Sequence, residues 1–258
     1  MMLYLSDELK HYFSEQLPLF DQVMALRGHA YRHVKGRLTQ RVLLGGNSYF
    51  IKQHLGVGYR EIFKNLLQGR LPVMSAKNEW EAIQALNAAG VSVPRMAGYG
   101  RQGLNPARQT SFILMHELKP VVSLEELGLS WRHAPPSFSF KLKLIKEVAN
   151  IARLMHEHGV NHRDFYLCHF LLNTETLELA LIDLHRAQIR LKTPERWLVK
   201  DLAGLYFSSK DMGLTRNDYF RFMKAYRGKA WRALWKTEQP FWRKVIARGD
   251  KLYRDETL

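Results

Sequence analysis

The sequence predicts an α+β protein of two lobes: an N-terminal antiparallel sheet carrying a helix, and a mostly helical C-terminal lobe. Three observations predict it. Short apolar runs separated by glycine turns fill residues 30–54, the texture of a strand meander. Helical periodicity dominates residues 139–158 and returns near the C-terminus. Between them, residues 159–190 give a helix end, a polar loop and two short apolar strands that deliver charged residues in quick succession. The lobes are expected at 1–118 and 119–258. The chain has 258 residues and 46% hydrophobic content, enough for one large domain or two lobes sharing a cleft.

The elements follow in order. Residues 7–26 read as helix in two pieces, with Leu9, Tyr12, Phe13 and Leu17 on one face, a break at Pro18, then Phe20, Val23 and Met24. Strands are expected at 30–34, 40–44 and 48–54, the last two joined by Gly45-Gly46-Asn47. Residues 55–74 form a basic amphipathic insertion. Tyr59, Ile62, Phe63, Leu66 and Leu67 share a face beside Arg60, Lys64 and Arg70. Such a helix can lie on an anionic membrane, but burial of that face on a neighbour is the default expectation. Ser75 caps a helix that stops at Gly90. Strands follow at 96–100 and 111–118, and Ser123 starts a short helix. After Pro135-Pro136 comes a long amphipathic helix through Leu144, Val148, Ile151 and Met155, closed by Gly159.

Charge and cysteine use narrow the partners. The formal charge is +15 and the pI about 9.9. That excess favours nucleic acid, anionic lipid, phosphorylated sugars or an acidic protein, without choosing among them. A single cysteine, Cys168, excludes an internal disulfide and suits a reducing compartment. No apolar run is long enough to span a bilayer. Residues 1–8 lack the basic start and apolar core of a signal peptide, so a cytoplasmic protein is expected. The tail mixes Trp231, Trp235 and Trp242 with cations, a pattern of either an interfacial helix or a packed helical cap.

The chemistry concentrates in His162-Arg163-Asp164 and in Asp183. His-Arg-Asp in a loop between helix and strand is a phosphoryl-transfer signature. Two acids with separate duties suit that reaction: one takes up the acceptor hydroxyl's proton, the other holds magnesium on the nucleotide phosphates. The bland alternative makes both aspartates turn caps. Lys52 lies late in an apolar strand, where an unpaired ammonium is costly. A phosphate steadied by a helix glutamate would satisfy it, with Glu79 as the expected partner and Glu81 as substitute. The turn at Gly36 is a weak candidate for covering phosphates. The backbone at Glu117 and Lys119, where strand runs into connector, is expected to meet an adenine edge.

The order of meander, lysine strand, glutamate helix, two strands, long helix, His-Arg-Asp loop and Ile-Asp hairpin is that of the protein-kinase-like fold. The stretch Asn161-His162-Arg163-Asp164-Phe165-Tyr166-Leu167-Cys168-His169-Phe170-Leu171-Leu172 resembles the catalytic block of the lipopolysaccharide core heptose(I) kinase family (WaaP/RfaP). The segments 182–190, 200–209, 48–52 and Gly103-Leu104-Asn105-Pro106 are similar as well. The resemblance covers roughly residues 30–225. It implies an ATP-dependent kinase that phosphorylates the 4-hydroxyl of the first heptose of the lipopolysaccharide inner core. Its acceptor would be lipid A-Kdo-heptose at the anionic cytoplasmic face of the inner membrane, with no nucleic-acid partner. It further implies Asp164 as the catalytic base or hydroxyl-orienting acid, with Arg163 and His162 as further catalytic residues, and Asp183 as Mg²⁺ ligand. Lys52 and Glu79 would serve the phosphates, and Asp201 would hold the catalytic loop. Two departures stand out. His169 occupies the place where kinases usually carry a metal-binding asparagine, and imidazole suits Mg²⁺ poorly. That leaves it phosphate contact or loop structure. The glycine-rich signature is missing, with Lys35 and Arg37 as possible compensation.

Two other readings stay open. A kinase acting on protein tyrosine or serine is disfavoured because no long activation segment or Ala-Pro-Glu block follows Asp183. A non-catalytic module that binds anionic lipid or an acidic protein is disfavoured by Lys52, Asp164 and Asp183 occurring together.

Overall fold

The chain divides into residues 1–81 with 94–118, and residues 82–93 with 119–258. The computed structural model describes residues 1–34, 36–67, 75–105, 107–228 and 231–257.

The first unit is built on a six-stranded antiparallel sheet in the order β1-β5-β6-β4-β3-β2. Its strands are β1 (Met2–Leu5), β2 (His29–Val34), β3 (Arg37–Leu44), β4 (Asn47–His54), β5 (Met96–Gln102) and β6 (Thr110–His116). The predicted meander is β2-β3-β4. β1 adds an edge strand that the sequence reading did not include, pairing Leu3 with Gly100. The two N-terminal helices are short, α1 (Asp7–Lys10) and α2 (Leu19–Met24). Their apolar residues Leu9, Phe20 and Val23 close over Val42, Ile51, Phe112 and Leu114 of the sheet. That single cluster explains why isolated helices of four and six residues persist: tertiary burial, not propensity, holds them.

α3 (Gly58–Leu67) corrects the default expectation for the basic amphipathic segment. Tyr59, Phe63 and Leu67 are 54%, 62% and 88% exposed, so this face is not buried on a neighbour. Leu66's side chain and residues 68–74, including Arg70, lie outside the described residues.

α4 (Lys77–Ala88) spans the division between the units. Gly90 at φ +77° ends it in the left-handed conformation.

In the second unit, Ser123 at the end of β7 (Val121–Ser123) caps α5 (Leu124–Leu129) through a reciprocal capping box with Glu126. The long helix α6 (Phe138–Glu157) buries Leu144, Val148, Ile151 and Met155, the predicted face. Then come β8 (Val160–Asn161), β9 (Phe170–Asn173), β10 (Leu179–Leu181) and β11 (Gln188–Ile189), followed by α7 (Glu195–Ser209), α8 (Arg216–Arg227) and α9 (Trp231–Thr257). α9 kinks at Glu238, two residues before Pro240. Trp242 is 3% exposed and packs edge-on against Tyr226, so it caps the second unit instead of facing a membrane. The side chains of Trp231 and Trp235 lie outside the described residues. A largely apolar cavity of 390 Å³, walled by Leu144, Val148, Tyr219, Met223, Trp242 and Val245, sits among α6, α8 and α9.

One buried acid makes this helical packing pH-sensitive. Asp218 in the first turn of α8 has a side chain only 1% exposed and meets Lys141 of α6 at 2.8 Å. It also accepts from Arg221 and from the amide and hydroxyl of Thr215. Burial alone would raise its pKa. The Lys141 and Thr215 hydrogen bonds outweigh that and hold it at about 2. A depressed carboxylate stabilises the fold above its unfolded value and loses that stability as pH falls through the folded one. Between about pH 4 and pH 2 the protein should therefore lose about 2 kcal/mol from this group. Thermal melts across that window check it, with Asp218→Asn expected to flatten the slope.

Candidate active site

Two residues of the first unit were singled out as a pair, and they are one. Lys52 points from β4, and its Nζ lies 2.6 Å from Oε1 of Glu79 in the first turn of α4. The side chains are 15% and 2% exposed, so this is a largely desolvated ion pair. Such a pair is held by geometry, since removing one partner strands a buried charge. Among the described residues the other carboxylate oxygen of Glu79 is buried without a hydrogen-bond partner.

Gly36 makes the turn between β2 and β3 at φ +78°. Its carbonyl accepts from the Leu55 amide at 2.8 Å, and a Cβ there would come within 2.7 Å of the Gly56 carbonyl oxygen. Lys35 and Pro106 lie outside the described residues.

Glu117 ends the sheet beside β6. Its amide donates to the Ser48 carbonyl at 3.0 Å and is spent within the sheet. Its carboxylate accepts from Arg41 Nε at 2.9 Å and from the Ser48 hydroxyl. Lys119 opens the second unit just before β7.

In the second unit the two key aspartates are brought together by backbone stitches. The Ile182 amide donates to the His169 carbonyl at 2.9 Å, and His162 Nε2 donates to the Ile182 carbonyl at 2.9 Å. β8 pairs with β11, and β9 with β10. His169 lies between the Asp164 backbone and the Asp183 carboxylate. Its Nδ1 donates to the Asp164 carbonyl at 2.7 Å, which turns its Nε2 toward Asp183, 3.6 Å away. This geometry gives His169 a part in the structure of the loop. Asp183 also accepts from His185 Nδ1 at 2.8 Å.

The backbone is strained at Asp183 and at the residue just before Asp164. Arg163 has φ +76° and Asp183 φ +61°, a region costly for residues with a Cβ and concentrated at functional sites. Asp201 holds the first in place. It is fully buried, and its carboxylate accepts from the amides of His162 at 2.7 Å and Arg163 at 2.8 Å.

His162 requires a second correction. Its side chain is 0% exposed and stacks on His169 at 5.4 Å, so it cannot touch a substrate. Burial pushes its pKa down and favours the neutral ring. It positions the loop. Asp164 remains partly exposed, with its carboxylate 2.9 and 3.1 Å from Arg186 Nη1. Cys168 is half-buried, and burial with nearby Glu125 pushes its thiol up to about 11, so it stays protonated near neutrality.

With this geometry in view, the comparisons decide the family. A family model described as the lipopolysaccharide kinase (Kdo/WaaP) family matches residues 21–226. The chain belongs to that family. It is 44% identical to the lipopolysaccharide core heptose(I) kinase WaaP of Pseudomonas aeruginosa, over 98% of this chain and 96% of the relative. It is 46% identical to the enzyme of that name from Escherichia coli K12, over 85% of each. A solved structure, WaaP in complex with acyl carrier protein, superposes with TM-score 0.84 at 40% identity. That match covers 98% of this chain and 100% of the other. The fold is thus the expected protein-kinase-like α+β arrangement, and the chain is a kinase, a phosphotransferase that draws on ATP.

In this lipopolysaccharide kinase, sequence reasoning left out Arg186 and His185. A signal was present: Leu184–Arg186 is one 3-10 turn that starts from Asp183. Arg186 stands three residues after Asp183, the spacing at which a 3-10 turn overlays side chains. Asp183 also fits magnesium by its chemistry. Mg²⁺ is usually held through one or two carboxylates plus substrate phosphates, not by an all-protein cage. Among the described residues no group of three or more His, Cys, Asp or Glu side chains forms such a cage.

Proposed function

We propose that this kinase transfers the γ-phosphate of ATP to the 4-hydroxyl of the first heptose of the lipopolysaccharide inner core. The observation that carries the reading is the single imidazole of His169 joining the Asp164 loop to Asp183. The acceptor is suggested by the names of the relatives at 44% and 46% identity. Asp164 would take up or orient the acceptor hydroxyl's proton. Asp183 would hold Mg²⁺, which when bound supplies charge neutralisation for the phosphates. Lys52, paired with Glu79, would contact nucleotide phosphates, and the turn at Gly36 would cover them. The adenine edge would meet the backbone at Glu117 and Lys119.

The charge of +15 and the exposed aromatic face of α3 suit an anionic membrane surface. The same charge suits an acidic carrier protein, the kind of partner named for the solved relative. The apolar cavity of the second unit would accommodate an aliphatic chain from such a carrier.

The test is one assay with separate arms. Purified protein is given labelled ATP and inner-core lipopolysaccharide isolated without heptose phosphate, in anionic vesicles or in neutral detergent. Label at heptose O4 is the expected result, faster in the anionic vesicles at low salt. An acidic carrier protein should co-elute at low salt only. Label confined to protein, or vesicle binding without turnover, would overturn the acceptor assignment.

A further inference from the structure

α7 opens beside the catalytic loop with Arg196, Trp197 and Lys200. Four cations surround the one indole. Cζ of Arg163, Arg190 and Arg196 lies 5.3, 5.6 and 5.5 Å from the Trp197 ring centroid, and Lys200 Nζ lies 5.6 Å away. A ring face attracts each cation, but it does not cancel the repulsion among four of them.

The surroundings do not cancel it either. Among the described residues, none of these four side chains has a carboxylate oxygen within 4.0 Å. Arg190 donates only to neutral amide oxygens, Asn161 Oδ1 at 2.5 Å and Gln188 Oε1. The nearby acids are committed elsewhere. Asp164 faces Arg186, and Asp201 is occupied with two backbone amides. Glu195, adjacent to Arg196 in the chain, turns to Lys244 at 2.7 Å. Among the described residues two buried donors, Nε of Arg163 and Nε1 of Trp197, have no acceptor. Burial, and then the neighbouring cations, lower the proton affinity of both Arg163 and Lys200, against an opposing pull from Asp164 and Asp201. The place is short of negative charge and of acceptors at once. It also sits one residue from Asp164, and guanidinium forks are the side chains that best match a planar or tetrahedral oxyanion.

We propose that Arg163, Arg190, Arg196 and Lys200 around Trp197 form a subsite for an oxyanion carried by the acceptor. That group is a carboxylate or phosphate on a residue near the reacting sugar hydroxyl. The inference rests on the kinase reading above and adds to it how the acceptor is recognised. An anion held there orients the acceptor so that its hydroxyl meets Asp164, and it separates charged core sugars from neutral ones.

The test is direct binding, which needs no turnover. Deacylated inner-core oligosaccharide without heptose phosphate is titrated into the full chain by calorimetry. Three forms are used: intact, with carboxylates methyl-esterified, and with phosphates removed. Loss of about tenfold in affinity is expected for whichever form lacks the recognised group. Arg196→Ala, at an exposed position, and Lys200→Ala should each weaken the intact form about tenfold. Neither should weaken the altered form further. In kinetics the acceptor KM should rise while the KM for ATP stays within about twofold. If the chain binds all three forms equally, or the variants raise both KM values alike, the subsite is wrong. Charge-dependent binding with no label on the heptose would instead sink the acceptor assignment and leave the anion subsite standing. Circular dichroism melts, with Arg196→Lys as a charge-keeping control, separate unfolding from lost recognition.

Discussion

Asp164→Asn should lower kcat by about 10³-fold or more while leaving the fold intact. The loss follows from the role. A positioned general base contributes about 10²–10⁴-fold, and an amide can neither accept the hydroxyl proton nor carry the charge that orients it. Stability should barely change, because the ion pair removed is partly solvated. The side chains of Arg186 and Asp164 are 35% and 19% exposed, and such pairs contribute about 0–1 kcal/mol. In a chain of this size that is a shift in Tm of no more than about 4 °C. The Asp164 carbonyl, which receives His169, belongs to the backbone and survives the substitution. Single-turnover assays and melts on the same preparation check both halves. A variant turning over within tenfold of the parent would remove Asp164 from the chemistry.

Most of the fold was legible because pattern and punctuation agreed. The 20-residue α6 buries the face its periodicity marked, and Ser123 caps where its spacing to Glu126 required. Lys52 and Glu79 could be paired from sequence because both stand where an isolated charge would be costly. What was missed depended on tertiary facts. β1 has only four residues and exists as a strand because Gly98–Arg101 of β5 presents an edge to it. The exposure of Tyr59 and Phe63 could not be foreseen, since amphipathicity says that a face is apolar, not what covers it. Trp242 was open to either reading for the same reason. His162 looked catalytic because it adjoins Asp164, yet adjacent residues point different ways. Its ring turns inward to the Ile182 carbonyl, while the Asp164 side chain stays partly exposed. The Trp197 cluster was invisible in sequence. Arg163 and Arg190 are 27 positions apart (190 minus 163), and only the packing of the catalytic loop against α7 sets them over one ring.

Asp201→Ala should cost about 3–5 kcal/mol of stability and also lower kcat by about 10²-fold, although this carboxylate never meets a substrate. It is fully buried and spends one oxygen on each of two consecutive amides, those of His162 and Arg163. Charge-assisted hydrogen bonds of this kind contribute about 1.5–3 kcal/mol each, and their loss leaves two buried donors unsatisfied. The second amide belongs to the residue at φ +76°, a conformation that costs about 1–3 kcal/mol and persists only while its surroundings enforce it. Released, Arg163 can relax toward negative φ and swing Asp164, the next residue, out of register with its hydroxyl. A misplacement of about 1 Å is enough for a hundredfold loss. Asp201→Asn makes the cause visible. It keeps the volume but turns one acceptor into an NH₂ donor facing an N–H, so it should be nearly as damaging as alanine. Urea denaturation gives the stability term, and kcat with nucleotide affinity gives the other. If either variant keeps wild-type stability, or loses stability while kcat per folded molecule holds, Asp201 is not what fixes the catalytic loop.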